Sequence, residues 1–208
     1  MRIGIIGAGN VGGTLGRGWA RAGHEVTFGV RNVADPKTAE LLKDTTAKAA
    51  SVAEAAAFGE VVVFSTPWEA TQDAVKSAGD LAGKIVFDTT NPLAPNLSGL
   101  THGFETSAGE MVASWAPGAK VVKIFNTTGA NNMADPDFNG TAASMFYCGD
   151  DAGAKAAAAK LASDLGFDPV DAGNLEQARL LEPLALLWIR LAYVQKQGRN
   201  IAFKLMKR

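Results

Sequence analysis

The first twelve residues constrain the fold more than any other stretch. Ile3-Gly4-Ile5-Ile6 is an apolar run that leads directly into Gly7-Ala8-Gly9-Asn10-Val11-Gly12, a Gly-x-Gly-x-x-Gly turn. An amphipathic stretch from Asn10 to Ala22 follows, and Gly23 stands where a helix cap belongs. A second strand, Glu25–Val30, comes next. Strand, glycine turn, helix and strand in this order read as a βαβ unit with a dinucleotide cradle at its first turn. Gly7 makes the tight turn, Gly9 leaves room for phosphates, and Gly12 lets the helix approach the strand. The helix then directs its free N–H groups and positive dipole end at the phosphates. The plainer alternative is a structural turn in an α/β domain.

The end of the second strand bears on which dinucleotide is bound. NAD-binding forms of this unit place an Asp or Glu there, on the adenosine ribose. Here the segment is Gly29-Val30-Arg31-Asn32, without a carboxylate. An arginine forks onto a 2′-phosphate that a carboxylate would repel. Such a charge-assisted bond contributes about 1.5–3 kcal/mol, roughly a tenfold to hundredfold preference for NADP over NAD. Asn32 adds neutral contacts. Against this, Arg31 is an ordinary solvated arginine, or pairs with nearby Asp35.

Strand and helix patterns alternate along the rest of the chain. Strands are expected at Arg2–Gly7, Glu25–Val30, Ala47–Ala50, Glu60–Ser65, Lys84–Asp88, Lys120–Asn126, Ser144–Gly149 and Phe167–Asp171. Helices are expected at Asn10–Ala22, Pro36–Leu42, Ser51–Phe58, Trp68–Gly79, Glu105–Trp115 and Asp151–Gly166. The pattern gives an α/β fold, a Rossmann-type doubly wound, mostly parallel sheet with a short helical C-terminal appendage. We divide it into an NADP-binding domain, 1–173, and a helical segment, 174–208, that packs on it or on a partner subunit. Within that segment Asn174 and Gln177 have capping-box spacing, and one apolar helix is expected from Ala178 to Phe203, kinked or interrupted at Pro183.

Composition excludes several classes. A net charge of −1 over 208 residues gives no support for nucleic-acid or membrane-surface binding. The one cysteine, Cys148, rules out an intrachain disulfide and a multi-cysteine metal site, and lies in an apolar strand where it is expected to be inert. No secretory signal is read at the N-terminus, and Leu184–Val194 contains Arg190 and is too short to span a bilayer. A cytoplasmic, soluble protein is the expectation.

Ligands of open parallel sheets sit beyond the carboxyl ends of the strands. Besides the glycine turn, those ends are Ser65-Thr66-Pro67-Trp68, Asp88-Thr89-Thr90-Asn91-Pro92 and Phe125-Asn126-Thr127-Thr128-Gly129-Ala130. They carry short hydroxyls and amides, which suit a ribose, a carboxamide or a planar acceptor, though each also serves as an ordinary helix cap. No proton donor stands out. His24 falls in a turn away from the site; His102 sits in a loop that borders it; Glu182 and Arg190 on the last helix either reach the substrate or form salt bridges. Direct hydride transfer between two heteroaromatic rings needs positioning more than acid catalysis, whereas carbonyl reduction wants a donor.

The motifs Gly7–Gly12, Gly29-Val30-Arg31-Asn32, Ser65-Thr66-Pro67-Trp68, Cys148-Gly149-Asp150-Asp151 and Asp171-Ala172-Gly173 resemble the coenzyme F420-dependent NADP oxidoreductase family. Val122-Lys123-Ile124-Phe125-Asn126 is similar to the cytosolic reductase domain of the STEAP metalloreductases. The resemblance implies hydride exchange between NADPH and a deazaflavin, or a flavin in the STEAP relatives, on a Rossmann domain that is usually dimeric. It also implies Arg31 and Asn32 at the 2′-phosphate, with Thr66, Pro67 and Asn91 near the nicotinamide. One departure stands beside it: Asn126-Thr127-Thr128-Gly129 replaces a His-Thr-Ile-Pro-like segment.

The expected cofactor-binding residues are therefore Gly7, Gly9, Asn10, Val11, Gly12, Arg31, Asn32, Ser65, Thr66, Pro67, Asn91 and Asn126. No catalytic residue and no metal ligand is assigned. The expected activity is NADP(H)-dependent hydride transfer to a small-molecule acceptor, F420, FMN or FAD, by a homodimer. The alternatives are an NADPH-dependent imine or carbonyl reductase and a non-catalytic NADP(H)-binding redox sensor.

Overall fold

Eight strands form one sheet in the order β3-β2-β1-β4-β5-β6-β7-β8. The computed structural model describes all residues, Met1–Arg208. The strands are β1 (Arg2–Ile6), β2 (Glu25–Gly29), β3 (Lys48–Ala50), β4 (Val61–Phe64), β5 (Ile85–Asp88), β6 (Lys120–Lys123), β7 (Ser144–Gly149) and β8 (Asp168–Asp171). Pairing is parallel from β3 through β6; β7 runs antiparallel to β6, and β8 parallel to β7. The chain order reverses between β1 and β4, which opens a crevice at their carboxyl ends.

Alternation along the strands feeds two cores. Ile3, Ile5, Val61 and Val63 join Trp19 and Phe28 on one face, while Ile6, Val62, Phe64 and Val86 pack on the other. Helices α1 (Asn10–Arg21), α2 (Pro36–Leu42), α3 (Val52–Phe58), α4 (Trp68–Ala78), α5 (Ala108–Trp115) and α7 (Ala152–Ser163) connect the strands. Trp19 of α1 is fully buried and donates its indole N–H to Leu161 O of α7 at 2.9 Å. Helix α5 starts at Ala108 rather than Glu105, because Ser107 caps it by accepting from Glu110 N. A short α6 (Ala130–Ala134), too brief to show a helical period, follows β6.

The C-terminal segment departs most from expectation. The expected capping box does not form: Asn174 precedes a single 3-10 turn and makes no side-chain cap. Helix α8 (Ala178–Ile189) passes through Pro183 without ending, widens into a π turn at Arg190–Val194, and stops there, nine residues before Phe203. Lys196 (φ 58) and Gly198 (φ 81) take left-handed conformations and reverse the chain. The tail then runs back along the sheet. Ser144 N donates to Phe203 O at 3.0 Å, Leu205 N to Ser144 Oγ at 3.1 Å, and Lys204 pairs with Asp168 at 2.6 Å. No helix is long and apolar enough to cross a membrane.

Candidate active-site cleft at the strand ends

The glycine turn is built by close backbone approach. Gly7 has φ 104, and a Cβ there would stand 2.6 Å from Ser65 O. A Cβ on Gly12 would lie 2.0 Å from Gly7 O and 3.1 Å from Ser65 Oγ, so only glycine lets α1 leave the turn at this angle. A Cβ on Gly9 would meet nothing within 4 Å, which marks the face of the turn that is open to a ligand. Helices α2, α3, α5 and α7 each begin with a side-chain cap from Asp35, Ser51, Ser107 or Asp151. Helices α1 and α4 start at Gly9 and Pro67 with no side-chain cap. Their first-turn N–H groups are therefore available to an anion or a carboxamide.

Between these two helix starts lies a cleft of about 310 Å³. It brings together Val11, Ser65, Thr66, Pro67 and Asn91 of the expected set, with Trp68, Glu69, Thr89, Thr90 and Leu93. Ser65 Oγ and Thr90 Oγ1 have no hydrogen-bond partner within the chain. Gly9 and Asn10 face a second cleft on the outer side of the turn. Asn126 stands behind Asn91: its Nδ2 donates to Asn91 Oδ1 and to Leu181 O, both at 3.1 Å, and Asn91 Nδ2 donates back to Asn126 O at 2.9 Å. Arg31 and Asn32 are exposed beyond β2. The suggested Arg31–Asp35 pair does not form, because the Asp35 carboxylate caps α2 by accepting from Lys37 N at 2.9 Å. Asn32 Oδ1 accepts from Ala34 N at 3.0 Å and fixes the turn.

The cleft floor rests on a buried charge cluster, of which the sequence alone pointed only to Glu182, as a salt-bridge candidate. Lys123, at the end of β6, is fully buried and spends its three N–H donors on Asp88 Oδ2 (2.8 Å), Thr90 O (2.6 Å) and Glu182 Oε1 (2.9 Å). Asp88 Oδ1 accepts from Thr90 N at 2.9 Å. The Glu182 carboxylate also accepts from Ala108 N (3.0 Å) and Gly109 N (3.1 Å) at the positive end of α5. Burial opposes the charge on Lys123, but Asp88 and Glu182 outweigh it and hold the ammonium above its usual range. Segment 88–91 is thereby fixed to α8 and α5. The signal was present in sequence, since a lysine inside Val121-Val122-Lys123-Ile124-Phe125 must find a buried partner.

Glu69, solvent-exposed in the first turn of α4, is the one titratable side chain lining the cleft; the other candidates are engaged elsewhere or stand beside it. Glu182 takes the salt-bridge role, as one of the cluster's two carboxylates, rather than that of a substrate ligand. Arg190 donates to Leu97 O at 3.4 Å on the exterior. His24 bridges Asp164 (2.9 Å) and the Met1 amine (3.2 Å). His102 alone stays close, packed edge-on against Trp68 with ring centroids 5.9 Å apart; Trp68 in turn stacks on Trp115 at 5.3 Å.

Sheet order, glycine turn and crevice define a Rossmann-class dinucleotide-binding protein. Comparison with known proteins narrows the class. The family model "NADP oxidoreductase coenzyme F420-dependent" matches residues 2–92. The F420-dependent NADP reductase of Methanothermobacter marburgensis is 30% identical, over 99% of this chain and 98% of its own length. A candidate F420-dependent NADP reductase from Arthrobacter sp. FB24 superimposes with a TM-score of 0.90 at 36% identity, covering 100% of both chains. Rat metalloreductase STEAP3 is 32% identical over 89% of this chain, which spans only 37% of that relative's length. The chain belongs to the F420-dependent NADP reductase family and is an NADP(H)-dependent oxidoreductase.

Proposed function

We propose that the protein exchanges hydride between NADP(H) and a deazaflavin of the F420 type, with FMN and FAD as weaker acceptors. The observation that carries this reading is the cleft's side-chain chemistry: hydroxyls, an amide and an indole, with one carboxylate, Glu69, exposed to solvent at its rim and the nearby Lys123 and Glu182 locked in a buried cluster. When bound, NADPH supplies the hydride and needs no proton from the protein if the acceptor ring takes it directly. The uncapped start of α1 with Gly9 and Asn10 binds the pyrophosphate, and Arg31 with Asn32 the 2′-phosphate. Ser65, Thr66, Pro67 and Asn91 orient the nicotinamide, with Asn126 steadying Asn91 from behind. Trp68 offers the acceptor an aromatic wall.

Residues 1–173 then act as the NADP-binding unit and 174–208 as its helical buttress. Leu180, Leu187, Tyr193 and Val194 are exposed on the outer side of that buttress. Exposed apolar side chains on one segment favour a second copy of the chain as their cover and hence a homodimer. A cytoplasmic location suits a single buried thiol. Stopped-flow mixing of the NADPH-loaded protein with F420, FMN and FAD tests the reading. F420 is expected to be reduced fastest; no acceptor reduced above the protein-free rate would end it.

A further inference from the structure

The C-terminal tail carries a cation to the outer side of the glycine turn. A second cleft, of about 470 Å³, lies there, and Gly9, Asn10, Arg17, Lys37 and Arg199 are among its lining residues. The three cations come from α1, from α2 and from the tail, and none joins a salt bridge of the chain. With Glu40 also on the wall, the lining keeps a formal charge of +2. Arg17 folds back along its helix, so that Nη2 would lie 3.9 Å from a Cβ on Gly13.

Arg199 is delivered by its backbone. Asn131 Nδ2 and Asn132 Nδ2 both donate to Arg199 O, at 3.0 and 3.1 Å. The next residues are clasped as well: Asn131 Nδ2 donates to Asn200 Oδ1 at 3.0 Å, Asn132 Nδ2 to Ile201 O at 2.8 Å, and Trp188 Nε1 to Ile201 O at 2.6 Å. These bonds fix the chain at 199–201 and leave the guanidinium uncommitted. An unpaired guanidinium lining the same cleft as the uncapped start of α1 suits a phosphate oxygen pair.

We propose that Arg199, with Arg17 and Lys37, forms a phosphate-binding site on the outer wall of the glycine turn, and that its ligand is a phosphate of the bound dinucleotide. The proposal rests on the placement of NADP(H) at that turn given above. Two phosphates share this chemistry, the pyrophosphate and the 2′-phosphate. Titrations of NADPH and NADH into the full chain and its Arg199→Ala, Arg199→Lys and Arg31→Ala variants separate them. Arg199→Ala is expected to weaken NADPH about three- to tenfold, the range of a single solvent-exposed charge-assisted contact. Arg199→Lys should recover part of that loss. The melting temperature without ligand should stay unchanged in both, because the tail is held through its carbonyl oxygens. An equal loss for NADH assigns the pyrophosphate; a loss confined to NADPH assigns the 2′-phosphate. Unchanged NADPH affinity in Arg199→Ala overturns the proposal, as does a loss matched by a lower melting temperature that Arg199→Lys does not recover. If Arg31→Ala loses NADPH while Arg199→Ala does not, only the role of Arg199 is wrong and the dinucleotide placement stands. Failure of the parent chain to bind either nucleotide removes the dinucleotide placement itself.

Discussion

The glycine turn and the Asp88–Lys123–Glu182 cluster flank the same cleft and use charge in opposite ways. At the turn, the polar groups are backbone N–H donors at an uncapped helix start, with exposed Arg31 and unpaired Arg17, Lys37 and Arg199 around them. At the cluster, every donor of the one lysine is consumed inside the protein. One side of the site keeps its electrostatics for a ligand; the other turns them inward to hold the floor still. Desolvating three ionisable groups is costly, and their value is geometric: Thr90 is held through both its N–H and its carbonyl oxygen, one residue before Asn91.

Lys123→Met is the most severe way to break this contrast. It strands two buried carboxylates and should destabilise the protein by about 3–5 kcal/mol, read from urea unfolding. A loss below about 1 kcal/mol would mean that water or rearrangement replaces the ammonium, and that the floor is not fixed as described. Next come two alanine substitutions in the turn itself. Gly12→Ala meets Gly7 O at 2.0 Å and must shift backbone, so unfolding stability should fall by about 1–3 kcal/mol. Gly9→Ala meets nothing within 4 Å and should unfold as the parent does while losing NADPH affinity. Equal stability losses in the two variants would show that the turn does not divide its glycines between packing and binding.

The smallest effect sharpens the picture of the cluster. Burial pushes the Cys148 thiol up to about 12, with Lys123 partly opposing the rise. At pH 8 roughly one thiol in ten thousand is then ionised. Ellman's reagent should leave Cys148 untouched in the folded parent and titrate it fully in urea. Reaction of folded Lys123→Met would locate the damage at β7 and α8, where Cys148 packs against Ala178 and Leu181.

The sheet was legible because its central strands β1, β4 and β5 are short apolar runs, and all eight strands lie within a few residues of where the pattern put them. The turn was legible because Gly7 and Gly12 answer a steric demand made within a few residues of the chain and by the neighbouring strand. The tail was not. Apolar residues return at Ile201-Ala202-Phe203, but the polar run Gln195-Lys196-Gln197-Gly198 ends the helix before them, and Gly198 was the available stop signal. Helix α6 escaped notice at five residues, less than two turns. Apart from Glu182, named beforehand as a salt-bridge candidate, the cluster escaped because it is assembled from three segments distant in sequence, and a lone lysine in a strand does not name its partners. Arg17, Lys37 and Arg199 were hidden for the same reason.

The aromatic wall has an optical consequence. Trp68 lines the cleft and is stacked on Trp115 at 5.3 Å, while Trp19 and Trp188 are buried with their indole N–H groups bonded to backbone oxygens. Reduced nicotinamide absorbs where tryptophan emits. A dihydronicotinamide entering this cleft therefore sits beside a built-in energy donor, and excitation of the indoles should light up the cofactor.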